Sequence, residues 1–191
     1  ANRHTHAIEL IDSPDRRRSI EACFHLYRAH GLSVLPRCPQ GMLHGDANDE
    51  NILIENGQVV GILDVGDCQM GALVQDLAIM LSYALQQEDV TIESVSPLLS
   101  GYQSIRSLDV RECEALIPLT IARMATSICV AETRRVGAPD HETWFSHQES
   151  TWATLETIMA HSPATLIGML IHDAVDVDVK KLESDRHRHI G

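Results

Sequence analysis

The stretch Asn51-Ile52-Leu53-Ile54-Glu55-Asn56-Gly57-Gln58-Val59-Val60-Gly61-Ile62-Leu63-Asp64 decides how this chain folds. Two runs of aliphatic and β-branched residues flank an Asn-Gly pair. That pair is the preferred two-residue loop of a type I′ hairpin, because both central positions need positive φ. Apolar residues fall on both faces of each strand, so the hairpin is expected to be buried, not an exposed ribbon. With Asn56-Gly57 as the loop, Glu55 pairs with Gln58, Leu53 with Val60 and Asn51 with Ile62. Cross-strand partners share a face, and so do residues two apart on one strand. Asn51 and Asp64 then become diagonal neighbours on one face, with Cα atoms roughly 7–8 Å apart. From there an amide oxygen and a carboxylate can share one divalent ion at ligand distances of about 2.1 Å. Asp46, on the loop entering the first strand, faces the same spot from the side.

Outward from the hairpin the pattern turns helical. Ser13-Pro14-Asp15 reads as an N-cap, a proline in the first turn and an acid at the positive helix end. The spacing of Ile20, Cys23, Phe24 and Tyr27 predicts a helix over 14–30, stopped by Gly31. Pro36 and Pro39 mark a loop, and Met42-Leu43 is a short apolar stub leading into His44-Gly45-Asp46. Further helices are expected over 73–87, within 92–106, from an Asp109-x-x-Glu112 capping box to about residue 135 with a bend at Pro118, over 141–160, and after Pro163. The order of one helix, one hairpin and then helices predicts an α+β fold, mostly α.

The 191 residues are enough for one domain with an ordinary core. Hydrophobic residues make up 44% and charged residues 22%, which excludes a chain disordered throughout and a disulfide miniprotein. A net charge of −12 argues against nucleic acid and anionic membranes as partners, and it suits a cationic acceptor. No apolar run reaches the ~18 residues of a membrane span. Cys23, Cys38, Cys68, Cys113 and Cys129 are widely spaced and form no C-x-x-C pair, so they are expected to be reduced thiols packed in the core of a cytoplasmic protein.

His44-Gly45-Asp46, Asn51, and Asp64-Val65-Gly66-Asp67 after a hairpin form the set that phosphoryl transfer needs. One carboxylate takes the proton of the attacking hydroxyl, while an Asn and a second Asp hold Mg²⁺ against a triphosphate. The run Leu43-His44-Gly45-Asp46-Ala47-Asn48-Asp49-Glu50-Asn51-Ile52-Leu53, with Gly61-Ile62-Leu63-Asp64-Val65-Gly66-Asp67 and Asp76-Leu77-Ala78, resembles the C-terminal lobe of the aminoglycoside phosphotransferase and choline kinase group. Its Asn48-Asp49-x-Asn51 form is most similar to hydroxylysine kinases, and to bacterial kinases fused to class III aminotransferase-like phospholyases. The resemblance covers roughly residues 10–172. It implies that Asp46 is the catalytic base, that His44 orders the catalytic loop, and that Asn51 and Asp64 are the metal ligands. It implies further that Asp76 braces the loop by accepting backbone N–H bonds and that Asp67 is a supporting acid. Asn48 and Asp49 are candidates for contacting a substrate ammonium, with a local Asx turn as the equal alternative. Val65 stands where such families usually have Phe or Trp.

A protein-kinase-like C-terminal lobe (1–172) followed by a tail or linker (173–191) is the expected organisation. Only 43 residues precede His44; they contain no Lys, and no G-x-G-x-x-G occurs. The N-terminal nucleotide lobe is therefore expected to be missing from this sequence, which reads either as a fragment of a longer chain that supplies the lobe in cis or as a naturally shortened gene product. Arg186-His187-Arg188-His189-Ile190-Gly191 resembles a junction into a fused PLP-dependent domain. The expected activity is transfer of the γ-phosphate of ATP or GTP, with Mg²⁺, to a hydroxyl of a small amino compound or amino alcohol such as hydroxylysine. The rival is a non-catalytic pseudokinase remnant acting as an interaction or regulatory module. A two-metal hydrolase is disfavoured because no second His or Asp cluster is present.

Overall fold

The structure is a computed structural model describing residues 3–87, 90–137 and 148–171. Seven helices are described: α1 (Arg3–Glu9), α2 (Pro14–Leu26), α3 (Val74–Ala84), α4 (Ser96–Ile105), α5 (Val110–Gly137), α6 (Gln148–Met159) and α7 (Pro163–Ile171). Four short strands join them: β1 (Gln40–Leu43), β2 (Ile52–Glu55), β3 (Gln58–Ile62) and β4 (Gln69–Ala72). They form two antiparallel pairs, β1 with β4 and β2 with β3. The fold is thus α+β and mostly α.

The core is built around α5. It packs against α1, α2, α3, α6 and α7, and Leu116, Ile121, Met124 and Ile128 along it are almost wholly buried. α5 is long and apolar enough to cross a bilayer, but 67% of its most apolar stretch is buried inside the fold. Its start is the expected capping box, closed in both directions. Glu112 N–H donates to Asp109 Oδ1 at 2.9 Å, and Asp109 N–H donates to Glu112 Oε2 at 3.0 Å. The Glu112 carboxylate is fully buried and is held on two oxygens by Arg106. Burying that charge is tolerable because it is paired and bonded.

Several expectations need correcting. The hairpin is not buried: Ile54, Val59, Val60 and Ile62 are 59–68% exposed. The apolar pattern asks for cover on both faces, but the core gathers around α5 and lays no second layer over this ribbon. The register also shifts. Glu55 pairs with Gln58 and Ile54 with Val59 as expected, but Leu53 then pairs with Gly61 and Ile52 with Ile62. Val60 is the extra residue of a β-bulge, so Asn51 lies opposite Leu63, whose N–H donates to its carbonyl at 2.8 Å. Regular alternation would then turn Asp64 to the other face from Asn51. Alternation stops at Asp64 itself, which adopts left-handed backbone, φ 53°, and opens the turn at 65–67; the expected diagonal placement of Asn51 and Asp64 on one regular hairpin face therefore does not hold.

The pairing of β1 with β4 was not anticipated, and neither was α1. Leu43 pairs with Gln69 and Gly41 with Gly71. A side chain at Gly71 would meet Leu43 at 2.6 Å, so the close approach needs glycine. Helix α2 ends at Leu26 and continues as a π-helical turn, Tyr27–Leu32, that buries Gly31 against Pro118 of α5. Gly31 therefore permits close packing and does not stop the helix. Helix α3 covers 74–84, not 73–87. Cys68 is exposed, unlike Cys23, Cys38 and Cys129, because it sits on the turn between Asp64 and β4. The expected start of a helix at 141, the boundary at 172/173 and the tail 173–191 lie outside the described residues.

Candidate active site

Two loops carry the polar residues singled out in the sequence. The first, 44–51, leaves β1; the second, 64–68, enters β4. Because β1 and β4 pair, the loops start side by side, and a Cβ on Gly45 would sit 2.6 Å from the Asp67 carbonyl. Gly45 has φ 87°, so it has no room for a side chain and adopts a backbone that disfavours one.

Asp76, in the first turn of α3, reaches back to the first loop. Its two carboxylate oxygens accept the His44 N–H at 2.7 Å and the Gly45 N–H at 3.0 Å. His44 ties the first loop to the residue that follows β3. Its Nε2 donates to the Leu63 carbonyl at 2.7 Å, and its Nδ1 accepts the Asp46 N–H at 3.3 Å. With Nδ1 accepting an N–H, Nε2 is the donor nitrogen.

Asn48 is buried, and its side chain is engaged within the loop. Its Nδ2 donates to the Asp46 carbonyl and to Asp46 Oδ2, each at 3.2 Å, while its Oδ1 accepts the Asn51 N–H at 3.1 Å. Asn48 thus caps the tight turn Asp49–Asn51 in the Asx manner. Asp49 is exposed. Asn51 donates its Nδ2 to the Asp46 carbonyl at 3.0 Å, which fixes the amide so that its oxygen is left as an acceptor. Asp64 and Asp67 are exposed on the facing loop.

Two further residues meet Asp46. Arg123 of α5 places Nη2 at 2.6 Å from Asp46 Oδ1 and at 2.8 Å from the Tyr83 hydroxyl. Tyr83 of α3 donates its hydroxyl to the same Oδ1 at 3.2 Å, and its ring lies 5.4 Å from the guanidinium. Burial pushes the Tyr83 phenol above its ordinary value, so its O–H stays a donor. Oδ1 thus takes two donors and Oδ2 one, leaving one lone pair on Oδ2. Sequence reading missed both residues because their partner lies 37 and 77 positions away. The available signal was the single charge of Arg123 inside the apolar run Leu119-Thr120-Ile121-Ala122-Arg123-Met124-Ala125.

The model of the phosphotransferase enzyme family (APH) matches residues 2–110, more than half of the chain. The chain therefore belongs to this family of phosphotransferases, the aminoglycoside phosphotransferase and choline kinase group. It is 24% identical over 140 residues to the hydroxylysine kinase of Danio rerio, covering 71% of this chain and 39% of that protein. To the hydroxylysine kinase of Mus musculus it is 29% identical over 124 residues, covering 60% of this chain and 33% of that protein. A homoserine kinase of Gluconobacter oxydans (strain 621H) is 34% identical over 80 residues, covering 41% and 25%. The chain spans less than half the length of these relatives.

Proposed function

We propose that this chain is the catalytic and acceptor-binding part of a small-molecule kinase that phosphorylates a hydroxyl of an amino compound. The reading is carried by the arrangement of Asp46. Its carboxylate is clamped by Arg123, Tyr83 and Asn48, and one lone pair of Oδ2 is left open to a hydroxyl. Kinship with hydroxylysine and homoserine kinases supports it.

In this reading Asp46 Oδ2 accepts the proton of the acceptor hydroxyl as its oxygen attacks phosphorus. Asp76 and His44 keep the loop rigid, so that Oδ2 does not drift from the line of attack. Asn51 Oδ1 and the Asp64 carboxylate are hard oxygen donors, and they fit Mg²⁺. Among the described residues no group of three or more His, Cys, Asp or Glu could hold a metal by itself, so an ion here needs phosphate oxygens to complete its shell. Magnesium bound there supplies charge neutralisation on the triphosphate. ATP or GTP is gripped by an N-terminal lobe in cis, for which the exposed apolar hairpin is a suitable bed. Asp67 steadies the second loop beside Gly45. A cytoplasmic location and, from the C-terminal sequence, a fused PLP-dependent domain are further proposals.

The longest reading frame containing these residues should be expressed and tested with hydroxylysine, homoserine, ethanolamine and choline, each with ATP and GTP. Nucleotide-dependent phosphorylation of one of them is expected. Asp46→Asn should lower that turnover by roughly 10²–10⁴-fold while nucleotide affinity changes little. An absence of transfer to every acceptor, or an Asp46→Asn enzyme within tenfold of the parent, refutes the assignment and leaves the non-catalytic reading.

A further inference from the structure

Arg123 does more than its bond to Asp46 requires. Only Nη2 is engaged; Nη1 makes no hydrogen bond among the described residues, and Nε is buried without a partner. Tyr83 already donates to the same Asp46 oxygen, so a neutral donor would have sufficed to orient the carboxylate. A guanidinium has five N–H groups in a fixed fork shaped for a carboxylate. Here it meets Asp46 through one nitrogen only, and 28% of the side chain remains open. Both hydrogens of Nη2 are taken, by Asp46 and by the Tyr83 hydroxyl, and Nε is buried, so Nη1 is the donor left open beside Asp46. It is a ready partner for one anionic oxygen.

We infer that Arg123 binds the carboxylate of the acceptor, so that the acceptor is a hydroxy amino acid and not a simple amino alcohol. This rests on the kinase reading above and narrows its substrate class. The charges around the site suit such a molecule at both ends. Asp49, Glu50, Asp64 and Asp67 line the two loops and favour an ammonium, whereas Arg123 is the cation within 4 Å of Asp46 among the described residues. A hydroxyl and a carboxylate separated by three or four carbons lie roughly 5–6 Å apart. That distance lets the hydroxyl reach Asp46 Oδ2 while the carboxylate meets Nη1 of the neighbouring guanidinium. Choline or ethanolamine would leave Nη1 to water. Arg123 lies beyond the residues matched by the family model.

The full reading frame, as wild type, Arg123→Gln and Arg123→Lys, is assayed on matched pairs: hydroxylysine against 1,5-diaminopentan-2-ol, and homoserine against 3-aminopropan-1-ol. Binding of the same four compounds is measured by calorimetry. Wild type should favour the amino acid of its preferred pair by roughly 10- to 100-fold in kcat/KM, the range for a charge-assisted contact, mostly through KM. Arg123→Gln should bring that ratio close to one. A parallel fall on both acceptors would come only from loosening Asp46, so an unchanged ratio overturns the proposal. Arg123→Lys keeps the cation without the fork and should retain part of the preference; it also serves where the Gln variant does not fold. Phosphorylation of both members of a pair equally by wild type overturns the carboxylate site and upholds the kinase. Arg123-dependent binding of the amino acid without any phosphate transfer does the reverse. Neither binding nor transfer overturns both.

Discussion

At the residue scale, the site is organised by side chains that fix other side chains. Asp76 is the clearest case, since its two oxygens accept two successive backbone N–H groups, those of His44 and Gly45. Asp76→Ala removes two charge-assisted bonds at a half-buried position and should destabilise the protein by about 2–4 kcal/mol. Urea unfolding reads this as a lower midpoint at unchanged slope. A change below 0.5 kcal/mol would mean that the loop holds its shape without the brace. The thiols give a second residue-level expectation. Burial pushes Cys23 up to about 12, and Cys113 and Cys129 up to about 11, while Cys68 is exposed beside the second loop. A thiol reagent at pH 8 should therefore label Cys68 rapidly and the other four only on unfolding, because the thiolate is the reactive form. A fast phase that survives in Cys68→Ser would contradict this.

At the element scale, the legible features were the local ones. The type I′ turn is present with φ 50° at Asn56 and 76° at Gly57, and Ser13 and Asp109 cap the helices whose starts they marked. The bulge at Val60 was not legible, since strand twist and not residue type decides where one strand gains a residue. The pairing of β1 with β4 hides for a related reason. Four-residue strands with a glycine in each carry no period, and their partners lie about thirty residues apart along the chain. Arg123 and Tyr83 joined Asp46 only through helix packing, which no short motif records. These differences have energetic consequences. A Cβ at Gly57 meets no atom within 4 Å, so Gly57→Ala isolates left-handed strain of about 1–2 kcal/mol. The hairpin is exposed and lies outside the α5 core, so the strain should open it locally. Amide exchange over 52–62 is expected to quicken by roughly 5- to 30-fold while Tm stays almost unchanged. A parallel loss in Tm would show that the hairpin unfolds with the core. Glu112→Ala acts at the other extreme. It strips Arg106 of its carboxylate and α5 of its capping box, and should cost about 3 kcal/mol of global stability.

At the scale of the whole molecule, the helical side is finished and the strand side is not. Helices α2, α3, α6 and α7 pack on α5, and α4 packs on α3 and α7, whereas Ile54, Val59, Val60, Ile62 and Val65, with the cross-strand pair Met42 and Met70, stand 59–69% exposed. An apolar face of this kind marks an interaction surface or an association hazard, and a bare two-stranded ribbon is only marginally stable in water. The proposed reading assigns that face to the nucleotide lobe of a longer chain. The 191-residue chain by itself should then have two linked defects: little or no phosphate transfer, because nothing covers a bound triphosphate, and self-association through the strands. Ile54→Lys combined with Val59→Lys tests the second. The two residues pair across the strands, so the change places two charges on one spot of the exposed face. Sedimentation velocity of the isolated chain should show the associated species diminished, with Tm of the helical core within a degree or two of the parent. The same pair of lysines in the full reading frame should instead lower Tm and weaken nucleotide binding, because there the face is covered. Equal tolerance of the lysines in both settings would mean that the strands face water in the longer chain as well, and the nucleotide lobe would have to dock elsewhere.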